Sequence, residues 1–338
     1  MSLTTFLVRR LGGVVLVILG ITLVTFVTLH LFPADPARLL AGPGADEALI
    51  RAIRQDLGLD RPLPVQYARY LRDLAHGNLG RSIQTGQPVA DDLAKRLPAT
   101  LELAVVTMVV YVGLSVPLGI LAAVARGRWP DLLIRLVSVG GLAVPAFWLG
   151  FLLQLVLYRN LGWLQQAVGR IAPNLPPPPF VTGFYLLDAP LAGDWPALAS
   201  AAVQLIMPVT CLVVSRLGVG VKLTRTSMLE VVGSDYVRTA RAKGLAERAV
   251  LARHALRNAL MPVVTAFGVQ LGYLLGGTLV VEVVFGWPGI GQYAIGSITA
   301  VDFPAIMSVT VVISVFFVLA NLVVDVLYLY LDPRLRSA

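Results

Sequence analysis

The chain has 338 residues, 57% of them hydrophobic and 14% charged, with a formal net charge of +8. A typical soluble domain carries about 25% charged residues, so this composition, with a mean hydropathy of +0.79, excludes an ordinary soluble globule and describes a polytopic membrane protein. The basic surplus is then read as membrane orientation, with no nucleic-acid partner, and the one cysteine, Cys211, sits in an apolar run and cannot form an intrachain disulfide.

A helix needs roughly 20 apolar residues to cross the hydrocarbon core. Residues 11–31, 103–125, 136–158, 196–215, 259–281 and 303–324 qualify, and none of these stretches contains Asp, Glu, Lys or Arg. The expected fold class is all-α, with six transmembrane helices. The first stretch exceeds the apolar region of a signal peptide and lacks a small-x-small site after it, so it reads as a retained signal anchor. Pro117, Pro145, Pro208 and the Gly276-Gly277 pair interrupt the spans. Such residues are tolerated where neighbours re-satisfy the backbone, and they suggest kinks or close helix packing.

Between the first two spans, residues 46–57 place Leu49, Ile50, Ile53 and Leu57 on one helical face. Pro62 and Pro64 end that helix, residues 65–74 form a second, and Gly77, Gly80 and Gly86 mark turns. This is a small extracytoplasmic helical segment. Later in the chain the run NLPPPPF at 174–180 is extended and stiff.

Orientation follows from basic flanks. One set carries Arg9, Arg10, Arg126, Arg128 and Arg135, every Lys and Arg from Arg216 to Arg257, and finally Arg334 and Arg336. The opposite set holds only Arg159 and Arg170, apart from residues 32–97, and loops longer than ~60 residues cross largely regardless of charge. Both termini are therefore expected in the cytoplasm. The expected order is cytoplasmic 1–10, membrane 11–31, outer segment 32–98, membrane 99–125, cytoplasmic loop 126–135, membrane 136–158, outer loop 159–195 and membrane 196–216. A cytoplasmic coupling loop 217–258, membrane 259–282, outer loop 283–302, membrane 303–328 and cytoplasmic 329–338 follow.

The polar stretch at 234–262, SDYVRTARAKGLAERAVLARHALRNALMP, stands out between two apolar spans. Ser234 or Asp235 can cap a helix start, and Asp235 suits the positive end of the helix dipole. Helical spacing puts Tyr236, Val237, Ala240 and Gly244 on one small or apolar face, with Arg238, Arg241 and Lys243 elsewhere. Gly244 is a natural helix stop. A second helix over 246–260 runs into the fifth span. A short helix of this kind suits a groove in a partner, although positive-inside charge alone also accounts for its arginines.

DYVRTARAKGL followed by RHALRNALMPVV resembles the coupling-loop signature of the inner-membrane permeases of peptide-type ABC importers. Arg238, Thr239 and Ala240 stand where the general Glu-Ala-Ala motif of importer permeases falls, a departure similar to the peptide branch. The resemblance extends over essentially the whole chain: FPADPA at 32–37, LGLDRPLPVQYARYL, GNLGRSIQTGQPV, EVVFGWPGIGQYA at 282–294, Asp302-Phe303-Pro304, and NLVVDVLYLYLDPRLR at 321–336. It implies a type I ABC importer permease fold and half of a translocation pathway for di- or oligopeptides in a bacterial or archaeal cytoplasmic membrane. It implies as partners a second related permease, two cytoplasmic ATP-binding subunits that carry ATP and Mg, and an extracytoplasmic solute-binding protein. The residues that match the coupling signature are Asp235, Tyr236, Arg238, Thr239, Ala240, Arg241, Lys243, Gly244, Leu245 and His254.

A P-loop needs Gly-Lys-Ser/Thr to cradle phosphate. The chain's lysines are Lys95, Lys222 and Lys243, none after a glycine, so no ATPase is expected here, and no catalytic or metal site. Glu102, Glu282 and Asp325, near span ends, are candidates for the translocation path or an outer gate, or else boundary carboxylates and helix-end pairs. Family cargo also includes nickel chelates, glutathione, haem-like compounds and oligosaccharides. A proton-coupled carrier would want inverted repeats and midplane ionisable groups, and the central parts of the spans read as uncharged. A membrane scaffold or channel is the remaining rival.

Overall fold

The computed structural model describes residues 3–31, 35–42 and 44–331, and among them it is helical with no strand. Helix α1, Leu3–Leu31, is followed by three short helices, α2 (Pro36–Ala41), α3 (Glu47–Leu57) and α4 (Leu63–Ala75). Asp35 caps α2 by accepting from Ala37 N, and α3 ends where Gly58 takes φ +68°. Helix α4 lies back along α1: the Tyr67 hydroxyl donates to Leu19 O at 3.1 Å, and His30 contacts Gln66 Oε1 at 3.1 Å.

The centre of the molecule is a pair of long helices, α5 (Val89–Val124) and α9 (Trp195–Val232). Asp194 starts α9 by accepting from Ala197 N, with a proline in the first turn. The two run parallel, with glycines at their crossing. A Cβ on Gly119 would come within 2.5 Å of Thr224 Cβ, and one on Gly220 within 2.5 Å of Ser115 Oγ. Hydrocarbon supplies no hydrophobic drive between helices, so small residues that let backbones approach are what hold such a pair. Gly141 in α6 (Trp129–Ala143) does the same against Val214 O, at 2.6 Å.

The third apolar stretch is not one straight helix. Helix α6 and the following unit, α7 (Ala146–Leu153) with a π-helical turn Gln154–Asn160, meet at 104°. Pro145 accounts for the break, because the residue before a proline is pushed out of the helical region, and Val144 is extended at ψ 123°. Among the described residues, four helices are long and apolar enough to cross a bilayer: Gly12–Leu31, Val89–Val124, Trp195–Val232 and Phe303–Val323. The bent pair makes a fifth if it forms one span. The remaining apolar stretch is covered by α12 (Leu256–Gly277, 22 residues) and α13 (Leu279–Val284). Helix α8 (Tyr185–Leu191) precedes α9, α14 (Ile290–Thr299) follows α13, and α15 (Phe303–Leu331) packs against α1 and α12.

Three apolar clusters stack through this bundle. The largest joins α5, α9, α12 and α13 through Leu103, Tyr111, Leu212, Phe267 and Val281. One at the end where α5 begins joins it to α14 and α15 through Val89, Tyr293 and Val309. One at the opposite end joins Met228, Val237, Ala240, Val250 and Ala259.

Candidate functional site

At that last end lies α10, Asp235–Ala242. Val237 and Ala240 are buried against Met228 of α9 and Ala255 and Ala259 of the helix that follows. Of the small or apolar face that the helical spacing defines, Val237 and Ala240 are thus used inside this chain, while Tyr236 and Gly244 stay exposed. Ala240 therefore positions the helix, and the outward surface is the polar one. Asp235, Tyr236, Arg238, Thr239, Arg241, Lys243, Gly244 and Leu245 are all exposed, and the exposed run continues to Ala249. Ser234 occupies the cap position, but its hydroxyl donates back to Val231 O at 2.6 Å and makes no cap bond.

Gly244 follows α10 with φ +76°, the left-handed conformation that ends a helix. Arg241 then reaches across the turn to Glu247 with two bonds of 3.0 and 2.7 Å. The guanidinium holds the Glu247 carboxyl below the usual carboxylate range. The chain resumes as α11 (Glu247–Ala249), passes through a π-helical turn Val250–Ala255 and continues into α12. Movement of α10 therefore has a helical route into α12. His254 sits in that π turn, half-buried, behind the exposed surface. Tyr236 is tied to it one turn on, its hydroxyl accepting from Asn258 Nδ2 at 2.9 Å.

Beside this surface, Asp131 at the start of α6 is buried at 1% exposure and takes both Nε (2.7 Å) and Nη2 (2.9 Å) of Arg225 from α9. Arg135 lies 3.3 Å from the same carboxylate, and Gly127 N donates to it at 3.1 Å. The sequence reading treated Arg225 and Arg135 as orientation charges only. The structure makes them a clamp between the 126–135 loop and α9. An Asp within reach of two arginines is not a periodic pattern, so nothing local in the sequence announced it.

The opposite end is knitted by buried carboxylates. Glu102 of α5 pairs with Arg170 at 2.6 Å and accepts from Leu186 N at 2.8 Å, while Arg170 stacks 3.6 Å over the Tyr185 ring. Glu282 is fully buried. It accepts from Thr100 Oγ1 (2.8 Å), Gly291 N (2.7 Å) and Gln292 N (3.2 Å), so it caps the first turn of α14 and fastens it to α5. Trp287 adds an indole bond to Ala99 O at 2.9 Å. A Cβ on Gly289 would strike Glu282 Oε2 and Thr100 Oγ1, which is why GWPGIG carries glycine there. Asp302 accepts from Ser82 Oγ at 2.5 Å and Gln84 N at 3.1 Å, and Ser308 reaches Leu79 O at 3.0 Å. Two motif segments about 220 residues apart thus meet. Both glutamates are occupied by this chain and neither leaves an oxygen facing open space. Asp325 lies in the last turns of α15, and its side chain is outside the described residues.

Arg216 is placed differently from its sequence reading as a cytoplasmic flank. Helix α9 does not end with its apolar run but continues unbroken to Val232. Arg216 therefore sits within the bundle, beside Tyr111 of α5 and against α12, where it contacts Gln270 Oε1 at 3.2 Å and Tyr273 O at 3.4 Å. Helix α9 thus carries a charged residue near its middle.

A buried bundle with one exposed basic helix–turn–helix, built on the ends of two spans, fits a permease, and comparison with known proteins decides the family. Residues 115–337 match the binding-protein-dependent transport system inner membrane component, and residues 3–104 match that family's N-terminal membrane component. The chain belongs to this family of ABC importer permeases. It is 48% identical over 335 residues to the Probable D,D-dipeptide transport system permease protein DdpB of Escherichia coli (strain K12), covering 99% of this chain and 98% of that one. It is 39% identical over 331 residues to the dipeptide transport system permease protein DppB of Alkalihalophilus pseudofirmus, covering 98% and 99%. Against the glutathione transport system permease protein GsiC of Escherichia coli (strain K12) it is 40% identical over 331 residues, covering 98% of each. Among solved structures, the inward-facing MetNI methionine ABC transporter matches with a TM-score of 0.52 at 16% identity, over 71% of this chain and 96% of that one. That likeness establishes the shared importer-permease fold. Members of this family are the membrane-embedded, non-catalytic subunits of their transporters, and the chain is accordingly a multi-pass membrane protein.

Proposed function

We propose that this permease forms half of the pathway by which an ABC importer brings di- or oligopeptides across a bacterial or archaeal cytoplasmic membrane. Its full-length similarity to permeases named for dipeptide transport supports that cargo. The observation that carries the mechanism is the exposed segment 235–249, anchored on α9 through Met228 and continuous with α12. Two cytoplasmic ATP-binding subunits, holding ATP and Mg, grip this segment, and their closure moves it as a rigid body. An equilibrium shifts only by differential binding free energy between two states, which ATP at the partner interface supplies. In this reading both termini and segment 235–249 face the cytoplasm. Six spans cross the membrane, a second related permease completes the path, and a solute-binding protein docks on the outer end. That end is held by Glu282, Glu102–Arg170 and Asp302, which fix the outer loops as a rigid platform.

Glutathione, itself a tripeptide, is the second cargo reading, favoured by the 40% identity to permeases named for it. The test is uptake by vesicles holding the complete complex, offered labelled dipeptide or glutathione. ATP-dependent dipeptide accumulation that requires the binding protein is expected. Uptake of neither compound, or uptake without ATP, overturns the reading.

A further inference from the structure

Arg216 is a charged residue packed within the bundle that neither the coupling surface nor the outer platform uses. Its depth can be measured against the two ion-pair layers. The Glu102–Arg170 pair marks where the apolar run of α5 begins, and Tyr111, opposite Arg216, lies roughly nine residues or ~14 Å further along that helix. The Asp131–Arg225 clamp lies beyond the other end of that run, and Arg225 lies roughly nine residues or ~14 Å beyond Arg216 on α9. Arg216 is therefore rooted midway between layers ~27 Å apart, close to the thickness of a hydrocarbon core.

From that root the side chain runs along α12, past Gln270 and the Tyr273 carbonyl, until Nη2 lies against Gly277. A Cβ on Gly277 would collide with Nη2, so glycine there makes room for the guanidinium. Among the described residues no Asp or Glu pairs with Arg216. Its acceptors are two neutral oxygens at 3.2 and 3.4 Å, the long end of the range for such bonds. A guanidinium has five N–H donors in a fork shaped for carboxylate. The surface beside it is open, with Tyr273 at 57% exposure. A guanidinium without a counter-charge is costly against lipid tails, so this face meets protein or water: the path between the two permeases.

We propose that Arg216 is an anion-binding subsite in the translocation path and takes the α-carboxylate of the passing peptide. Its place is between the two ends of the bundle, where a zwitterionic cargo has lost most of its water and needs a counter-charge. The inference rests on the peptide reading above and names the group of the cargo that this chain recognises. Neutral acceptors hold the guanidinium in position without neutralising it, so the cargo binds and leaves again.

The experiment compares a labelled dipeptide with its C-terminal amide in vesicles holding the complete complex, each supplied on saturated binding protein. The binding protein is a separate chain and is the same in every arm, so its own selectivity cancels in the ratio of acid to amide transport. In R216Q that ratio is expected to fall at least about tenfold, the size of one charge-assisted pair, with amide transport nearly unchanged. R216K should retain part of the preference. Where R216Q assembles poorly, Gly277→Ala gives the same readout by displacing a retained arginine. An equal fall for acid and amide overturns the proposal and points to a fixed carboxylate of the neighbouring permease as the partner of Arg216. An unchanged ratio overturns it too. If the wild-type complex takes up neither peptide nor amide, the peptide reading itself fails, and this inference with it.

Discussion

Gly244 offers the most graded test of the coupling segment. Its φ is +76°, and nothing lies within 4 Å of where a Cβ would stand. A side chain there meets no steric obstacle from this chain, so the whole cost is backbone strain. That strain is ~1–2 kcal/mol for an ordinary L-residue and less for Asn, which visits the left-handed region. For Val, β-branched and a genuine outlier at positive φ, it reaches ~2–3 kcal/mol. Little opposes such a shift locally, because the Arg241–Glu247 pair across the turn is exposed. At ~1.4 kcal/mol per factor of ten, Gly244→Ala should lower the equilibrium constant for the native turn by roughly tenfold and Gly244→Val by more than about thirtyfold. The assay is cargo-stimulated ATP hydrolysis and uptake by the reconstituted complex, with the amount of permease in the membrane as control. The expected order is Gly, then Asn, then Ala, then Val, at equal membrane insertion. Coupled transport by Gly244→Val at the wild-type rate refutes a role for this turn. An order that follows side-chain volume, with Asn worse than Ala, replaces strain with a direct partner contact.

Asp131 and Arg225 should behave as one unit. Breaking a buried pair by removing one partner costs ~3–5 kcal/mol. Arg225 is 20% exposed and regains some water, so D131A is expected to destabilise by ~2–3 kcal/mol. In chemical unfolding of purified protein, the R225M change in a D131A background should cost far less than alone, and additive losses contradict the clamp. Gly289→Ala forces Glu282 off the first turn of α14, and a free Gly291 or Gln292 N–H costs ~1–3 kcal/mol each. Hydrogen exchange should rise across α14 and not across α10. Burial pushes the Asp188 carboxyl up, but bonds from Thr182, Val181 and Gly183 outweigh it and hold the group below the usual range. Its stabilisation is therefore complete above pH ~4 and lost as pH falls through the lowered value. Limited proteolysis should find the 181–188 turn protected at neutral pH and opened under acid, and already opened at neutral pH in D188N.

How far the sequence carried these conclusions depended on range. The apolar stretches pointed to long membrane-length helices because a bilayer sets their length, and α10 was legible because Gly244 and the amphipathic spacing of residues 235–242 are local signals. The spacing named the correct small face but not its direction: Val237 and Ala240 face inward, where α9 and α12 converge. The change of composition at Arg216 did not announce that α9 continues as helix past it, with Arg216 packed against α12. The bend at Val144-Pro145 exceeds a kink, because Val144 leaves the helical region altogether. Glu102 and Glu282 were visible as carboxylates near boundaries, and Asp131 was not singled out. Their partners Arg170, Thr100 and Arg225 lie 68 to 182 residues away, and one sequence holds no record of such pairs.

The central claim is that the polar face of α10 is the surface through which ATP drives this permease. Cys211 is the native cysteine and is buried, so single cysteines can be placed at Thr239, at Val237 and at Gly127 in the neighbouring loop. Short cross-linkers are then applied to the assembled complex with and without ATP. The account predicts strong cross-linking of position 239 to an ATP-binding subunit, changing in yield with nucleotide, and little at the buried position 237. Cross-linking at 127 with none at 239 would contradict it.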